Sequence, residues 1–324
     1  MKRRQFLLAI PALVAAQPAL GQAERMRRIG VLVMSAQNAA LGPPFLKRLA
    51  ELGWVEGRNL AVEMRVADNS LDRLPGLALE LASLNLDVIV AASTPAARAA
   101  KDATKTIPVV FAWVADPVAS GLIASLSHPG GNLTGLSNAI FSVAPKQIEL
   151  LRAMVPKLRR VAELGHPGYD KAATGTGQSP LSKAAASVNI TLVRVVATTA
   201  AELDSAFAAA ARERVGAMVV PPMPLYGAQG KRIAELAKRY RIPVAAQARG
   251  FVADGALVSY GPDIREAFLR TAAYVDKILR GAKPADLPVE QVDRFQTVIN
   301  LRTARELGLA IPQSVLLRAD EVIE

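Results

Sequence analysis

The chain has 324 residues, a formal net charge of +11, 51% hydrophobic residues, two histidines and no cysteine. The missing cysteines exclude disulfides, thiolate metal sites, a cysteine nucleophile and a lipidated amino-terminal cysteine, and two histidines are too few for an ordinary transition-metal centre. The length allows about two domains, each with a core of its own.

Lys2, Arg3 and Arg4 precede an apolar stretch from Phe6 to Ala16, and Gly21-Gln22-Ala23 supplies the small residues a signal peptidase needs. Residues 1–23 are therefore predicted to be a secretory signal cleaved near Ala23. The arginine pair followed by Gln5, Phe6 and Leu7 resembles a twin-arginine signal. The expected location is the periplasm; an uncleaved anchor is the alternative, for which the apolar core is short. No later stretch reaches about 18 uninterrupted apolar residues, so a soluble mature chain is expected.

Short β-branched runs then alternate with helical patterns. Strands are predicted over 28–34, 60–67, 88–92, 109–114 and 133–137. Between them fall helices through Phe45, Leu46, Leu49 and Leu52, over 71–84, over 94–103 and after Asp116-Pro117. The pattern restarts with helix 145–154, strand 161–165, helix 179–188, strand 190–196, helix 200–214, strand 217–220 and helix 226–240. Short strands at 243–246 and 256–259, a long helix 264–279, a strand 295–301 and a short helix ending near Gly308 complete the chain. Two successive sets of βα units predict an α/β fold of two Rossmann-like lobes, each a parallel sheet flanked by helices. Three crossings, near 139–145, 260–263 and 282–287, would form the hinge. They divide the chain into a first lobe of 24–140 plus 262–283 and a second of 141–261 plus 284–324.

Enzyme signatures are missing. The first strand runs into Met34, Ser35, Ala36, Gln37 and Asn38 with no glycine before Gly42, so no backbone loop can approach a pyrophosphate. Gly175 and Gly177 lack the third glycine of a dinucleotide loop, and Gly227–Lys231 lacks the spacing of a phosphate loop. His128 lies in a Pro-Gly turn and His166 at a strand end. The basic residues lie on helical faces, such as Arg98, Lys101 and Lys105, without interleaved aromatics. They are read as a solvated surface, and no nucleic-acid partner, metal or cofactor is expected.

What remains is a set of polar and aromatic residues just past strand ends, where open α/β sheets bind ligands. In the first half these are Ser35 and Gln37, then Ser93 and Thr94 at a helix start that suits a carboxylate, then Asp116. Ser93, Thr94 and Asp116 serve equally well as ordinary caps. In the second half they are Tyr169, Met223, Tyr226, Gln247, Arg249 and Tyr260. The tyrosines would supply flat walls and Arg249 a planar fork for a carboxylate.

The segment Leu49-Ala50-Glu51-Leu52-Gly53-Trp54-Val55-Glu56-Gly57-Arg58-Asn59 resembles the LGYVEGKN segment of a bacterial family of ABC-transporter substrate-binding proteins. Asp87-Val88-Ile89-Val90, Thr94-Pro95-Ala96, Thr106-Ile107-Pro108-Val109-Val110-Phe111 and Asp116-Pro117-Val118 continue the resemblance. His128-Pro129-Gly130-Gly131-Asn132-Leu133-Thr134-Gly135, Tyr260-Gly261 and Asp276-Lys277-Ile278-Leu279-Arg280-Gly281 carry it to the carboxyl-terminal part. It implies the type I periplasmic-binding-protein fold, similarity to binders of tryptophan and other aromatic amino acids, and an ABC permease as partner. It also implies that Ser93 and Thr94 meet a carboxylate while Asp116 and Asn138 line the first lobe. The chain departs from the resemblance at Pro221-Pro222-Met223-Pro224, where many members carry Thr-Asp-Asn and hence an ammonium partner. The expectation is a monomer that captures a small organic acid or amino-acid-like ligand and catalyses nothing. A sensor without transport and a two-lobed enzyme are the alternatives.

Overall fold

The computed structural model describes residues 25–35, 42–138, 140–167 and 179–324. The predicted signal segment, Gln37 and Tyr169 lie outside the described residues. The first elements are β1 (Arg27–Val33), α1 (Gly42–Glu51), β2 (Leu60–Val66), α2 (Leu74–Ala82), β3 (Val88–Ala92), α3 (Thr94–Ala103), β4 (Val109–Val114) and β5 (Leu133–Ser137). There follow α4 (Ile140–Met154), β6 (Arg160–Gly165), α5 (Pro180–Ala186), β7 (Thr191–Val196), α6 (Leu203–Arg212) and β8 (Ala217–Val220). Next come α7 (Pro224–Ala228), α8 (Gly230–Tyr240), β9 (Val244–Ala246), α9 (Arg249–Asp254) and β10 (Val258–Pro262). The chain ends with α10 (Ile264–Leu279), β11 (Glu290–Gln291), β12 (Phe295–Asn300), α11 (Leu301–Leu307), α12 (Gln313–Leu316) and β13 (Glu321–Ile323).

Among the described residues the strands form two sheets: a six-stranded one in the order β11-β5-β4-β3-β1-β2 and a seven-stranded one in the order β13-β12-β10-β9-β8-β6-β7. All pairings are parallel except β10 with β12. The wholly apolar run Val88–Ala92 is buried throughout, as a central parallel strand covered on both faces must be. Ile89, Phe111 and Val114 pack under α2 and α3 on one face of the first sheet. Val31, Val90 and Val110 pack under α1 and α10 on the other, where Phe268, Ala272, Val275 and Leu279 form the stripe expected from their spacing. In the second sheet Ala162, Met218 and Val244 face α6, α8 and α9. Val161, Val219 and Ala245 face α4, α5 and α11.

Four local expectations are corrected. The third passage between sheets lies after Gln291, not within 282–287, because β11 pairs with β5 on the first sheet. Residues leading into it are tied there: the Thr134 hydroxyl donates to the Leu287 carbonyl at 2.7 Å, the Tyr274 hydroxyl to Pro288 at 2.6 Å, and the Val289 amide to Leu126 at 2.7 Å. No helix follows Asp116-Pro117; residues 117–121 are turns. Cations of α3 hold these turns, Arg98 donating to the Ser120 carbonyl and Lys101 to those of Gly121 and Leu122, so this basic face is partly engaged with backbone. Burial, with Arg98 and Lys105 nearby, pushes the Lys101 ammonium below its ordinary value. The expected helix 226–240 is two, α7 and α8, divided at Gln229 between glycines. Finally, α9 adds a helix between the strands predicted at 243–246 and 256–259, where no element was expected.

Candidate functional site

Parallel strands put their carboxyl ends on one side, so the residues following them collect along one edge of the sheet. Strands β5, β4, β3 and β1 are consecutive neighbours. Their successors Asn138, Asp116, Ser93 with Thr94, and Ser35 therefore line a single edge, and all but the half-buried Asp116 are buried. Ser93 caps α3, its hydroxyl accepting from the Ala96 amide at 3.3 Å. The Thr94 hydroxyl reaches across to the next strand end and accepts from the Ala115 amide at 3.1 Å. The Ser137 hydroxyl donates to the Ala115 carbonyl at 3.2 Å, and the Asn138 side-chain amide donates to the Trp113 carbonyl at 3.5 Å. Asp116 Oδ1 accepts from the amides of Val118 and Ala119 at 3.1 and 2.9 Å, so both bonds fall on one oxygen. The structure thus brings Ser35, Ser93, Thr94, Asp116 and Asn138 to one edge, where Thr94 and Asn138 bond the backbone of Ala115 and Trp113 just before Asp116.

The same edge carries backbone strain. Ser93 has φ 151° and Trp113 φ 60°, and the register between β4 and β5 slips between Phe111 and Val114. Such conformations cost on the order of 1–3 kcal/mol each and collect at functional sites. Sequence reasoning passed over Ser137 and this bulge. Ser137 was readable, since it precedes Asn138 at a strand end; the bulge leaves no composition signal.

On the second sheet Gln247 directly follows β9 and is 5% exposed, with an Oε1 that has no hydrogen-bond partner among the described residues. Gln147 on α4, which packs across β9 and β10, is 3% exposed, and its Nε2 is also without a partner among the described residues. A buried polar atom left so costs about 1–3 kcal/mol, which a ligand group or water at the atom offsets. Tyr260, half-buried, stacks on Phe295 with ring centroids 5.6 Å apart. Glu163, unremarked in the sequence, is buried on β6 and accepts from the Ser179 hydroxyl.

Three expected residues are placed elsewhere. Tyr226 is fully buried among the core residues beneath α6 and α8, its hydroxyl donating to the Ala197 carbonyl at 2.9 Å; Met223 lies in the same core. Arg249 lies on the surface, where both arms of its fork hold the Glu321 carboxylate at 2.7 and 2.6 Å. Those hydrogen bonds hold the Glu321 carboxyl below its usual range and raise Arg249 further. Arg249→Ala is therefore expected to leave ligand affinity unchanged, and a calorimetric titration showing a tenfold or greater loss would return Arg249 to the site.

Among the described residues no cluster of three or more His, Cys, Asp or Glu side chains is placed to hold a metal, and no helix is long and apolar enough to cross a membrane. A surface groove of about 400 Å³ is lined by Lys231, Lys238, Asp254 and Asn300. It borders Ile242 and Val244 at the amino end of β9, away from the carboxyl edge.

Residues 33–323 match the family described as ABC transporter substrate binding protein. A tyrosine-binding protein of Clostridioides difficile (strain R20291) is 28% identical over 82% of this chain and 75% of that protein. A conserved domain protein of Vibrio cholerae superposes with a TM-score of 0.85 at 30% identity, covering 92% of this chain and 100% of that one. A domain from Streptococcus pneumonia crystallised with L-Trp gives 0.84 at 27% identity with the same coverage. More distant periplasmic and solute-binding proteins share the fold alone, which is the expected type I class.

Proposed function

The chain belongs to the ABC transporter substrate binding protein family, and from that premise we propose that it captures a small carboxylate with a flat, aromatic body for an ABC importer. The observation that carries this reading is the edge at Ser93 and Thr94. There the start of α3 offers the Thr94 backbone N–H and two buried hydroxyls that each keep an O–H to donate, with Asn138 and Asp116 alongside. A helix start favours one negative charge, the half-buried Trp113 supplies apolar area at the same edge, and the half-buried Tyr260 supplies it on the second sheet. The names of the relatives, one a tyrosine-binding protein and one a complex with L-Trp, agree with a flat body. Gln247 and Gln147 offer polar atoms for the ligand's remaining groups. The two sheets act as lobes that close on the ligand, with hinge passages after β5, after β10 and after β11. The ligand leaves unchanged, and the closed form is what a membrane permease recognises. The predicted signal sequence fits export to the periplasm before capture.

A thermal-shift series tests this, using L-tyrosine, L-tryptophan, phenylpropionate, L-leucine, glucose and ribose. An aromatic acid at 100 times its dissociation constant contributes about 2.7 kcal/mol and raises the melting temperature. Stabilisation by a monosaccharide alone would overturn the reading.

A further inference from the structure

The chain has two tryptophans, and the structure treats them differently. Trp54 is structural: its Nε1 donates to Asp276 at 2.8 Å, its ring lies 5.6 Å from the Arg280 guanidinium, and it packs against the core under α1 and α10. Trp113 sits on β4, whose inward residues alternate: Val109 and Phe111 enter the core beneath α2 and α3, while Val110 enters the opposite one. Continued alternation would send residue 113 after Val109 and Phe111. The register slip between Phe111 and Val114 gives that core position to Val114 instead. Trp113 becomes the extra residue of a bulge, in the left-handed region at φ 60° where a bulky side chain is rare, half-buried and in neither core cluster. Asn138 binds its carbonyl, and two residues later Thr94 binds the Ala115 amide, so site residues fix the bulge from both sides.

A large indole turned out of a core by a fixed bulge, at the edge where a ligand is expected, has one economical use. We infer that Trp113 stacks on the aromatic body of the captured acid and sets the preference of the site for flat over branched aliphatic ligands. This rests on the reading of the carboxyl edge as a site for an aromatic acid. Trp113 touches the ligand's ring, while Thr94 and the start of α3 meet its carboxylate.

The test uses L-tyrosine, phenylpropionate and L-leucine, with calorimetry for affinity and indole emission excited beyond tyrosine absorption. Saturating L-tyrosine should change the wild-type emission, and W113F, which keeps Trp54, should lose that change while still binding. W113A should weaken L-tyrosine about tenfold or more, with a far smaller effect on L-leucine, collapsing the selectivity. If W113A does not fold, W113F carries the test through its lost emission change and its partial loss of selectivity. Wild-type affinity and selectivity in both variants, or binding of L-tyrosine with no change in wild-type emission, would overturn the assignment while leaving the aromatic-acid reading intact. Failure of the wild-type protein to bind any aromatic acid would overturn that reading and this assignment with it.

Discussion

Replacing Gly135 with alanine is expected to destabilise the protein by about 3–5 kcal/mol, the upper range for a single substitution. Gly135 lies on β5 opposite Phe111 and has φ 146°, a region L-residues rarely adopt. A Cβ built there would stand 2.0 Å from the Phe111 carbonyl oxygen, 2.7 Å from its nitrogen and 2.8 Å from its carbonyl carbon. These are backbone atoms of a central strand, so relief requires β4 and β5 to separate, and Phe111 on β4 is fully buried. Gly131 is the control. It also has positive φ, at 67°, but an added Cβ meets nothing within 4 Å among the described residues, so Gly131→Ala should cost about 1 kcal/mol from backbone conformation alone. Paired urea or thermal melts separate the two, and equal midpoints for G135A and G131A would refute the steric argument.

The second large effect is on binding. Thr94→Leu is expected to abolish measurable ligand affinity, a loss of at least about a hundredfold. Thr94 is 2% exposed, opens α3 and fastens the Ala115 amide. Leucine removes that acceptor, leaving a buried N–H unpaired, and pushes its extra bulk into the turn carrying Asp116. Stability should fall by about 1–3 kcal/mol, so circular dichroism must first show a folded variant. The milder Thr94→Ser keeps the hydroxyl and should keep most of the affinity. A Thr94→Leu protein that is folded and binds as tightly as wild type would show that the ligand site lies elsewhere.

Much of this molecule was legible in its residue order. Val88–Ala92 announces a central strand because five apolar residues before a Ser-Thr-Pro cap leave no exposed face, and the structure places it at the middle of the first sheet. The stripe of Phe268, Ala272, Val275 and Leu279 gave α10 its buried face for the same kind of reason: the period of a helix is local and repeats in sequence. Ser93, Thr94 and Asp116 could be picked out because a parallel strand has a known direction, so the residue after it has a known end of the sheet; Asn138 was implied by the family resemblance.

The sequence by itself thus determined the class of fold, the order of most of its elements and the positions along the first sheet's edge. The tertiary structure alone decided where individual side chains went. Arg249 is claimed by Glu321, 72 residues away, and Tyr226 by a carbonyl 29 residues away. The two-residue strand β11 carries no period at all and exists only because β5 offers it an edge. Trp113 turns outward because one extra residue in β4 reverses the alternation beyond it. Periodicity and capping act within a few residues and can be read along a chain. A side chain's partner and direction depend on contacts between distant segments and on single backbone angles, which exist only once the sheets have formed.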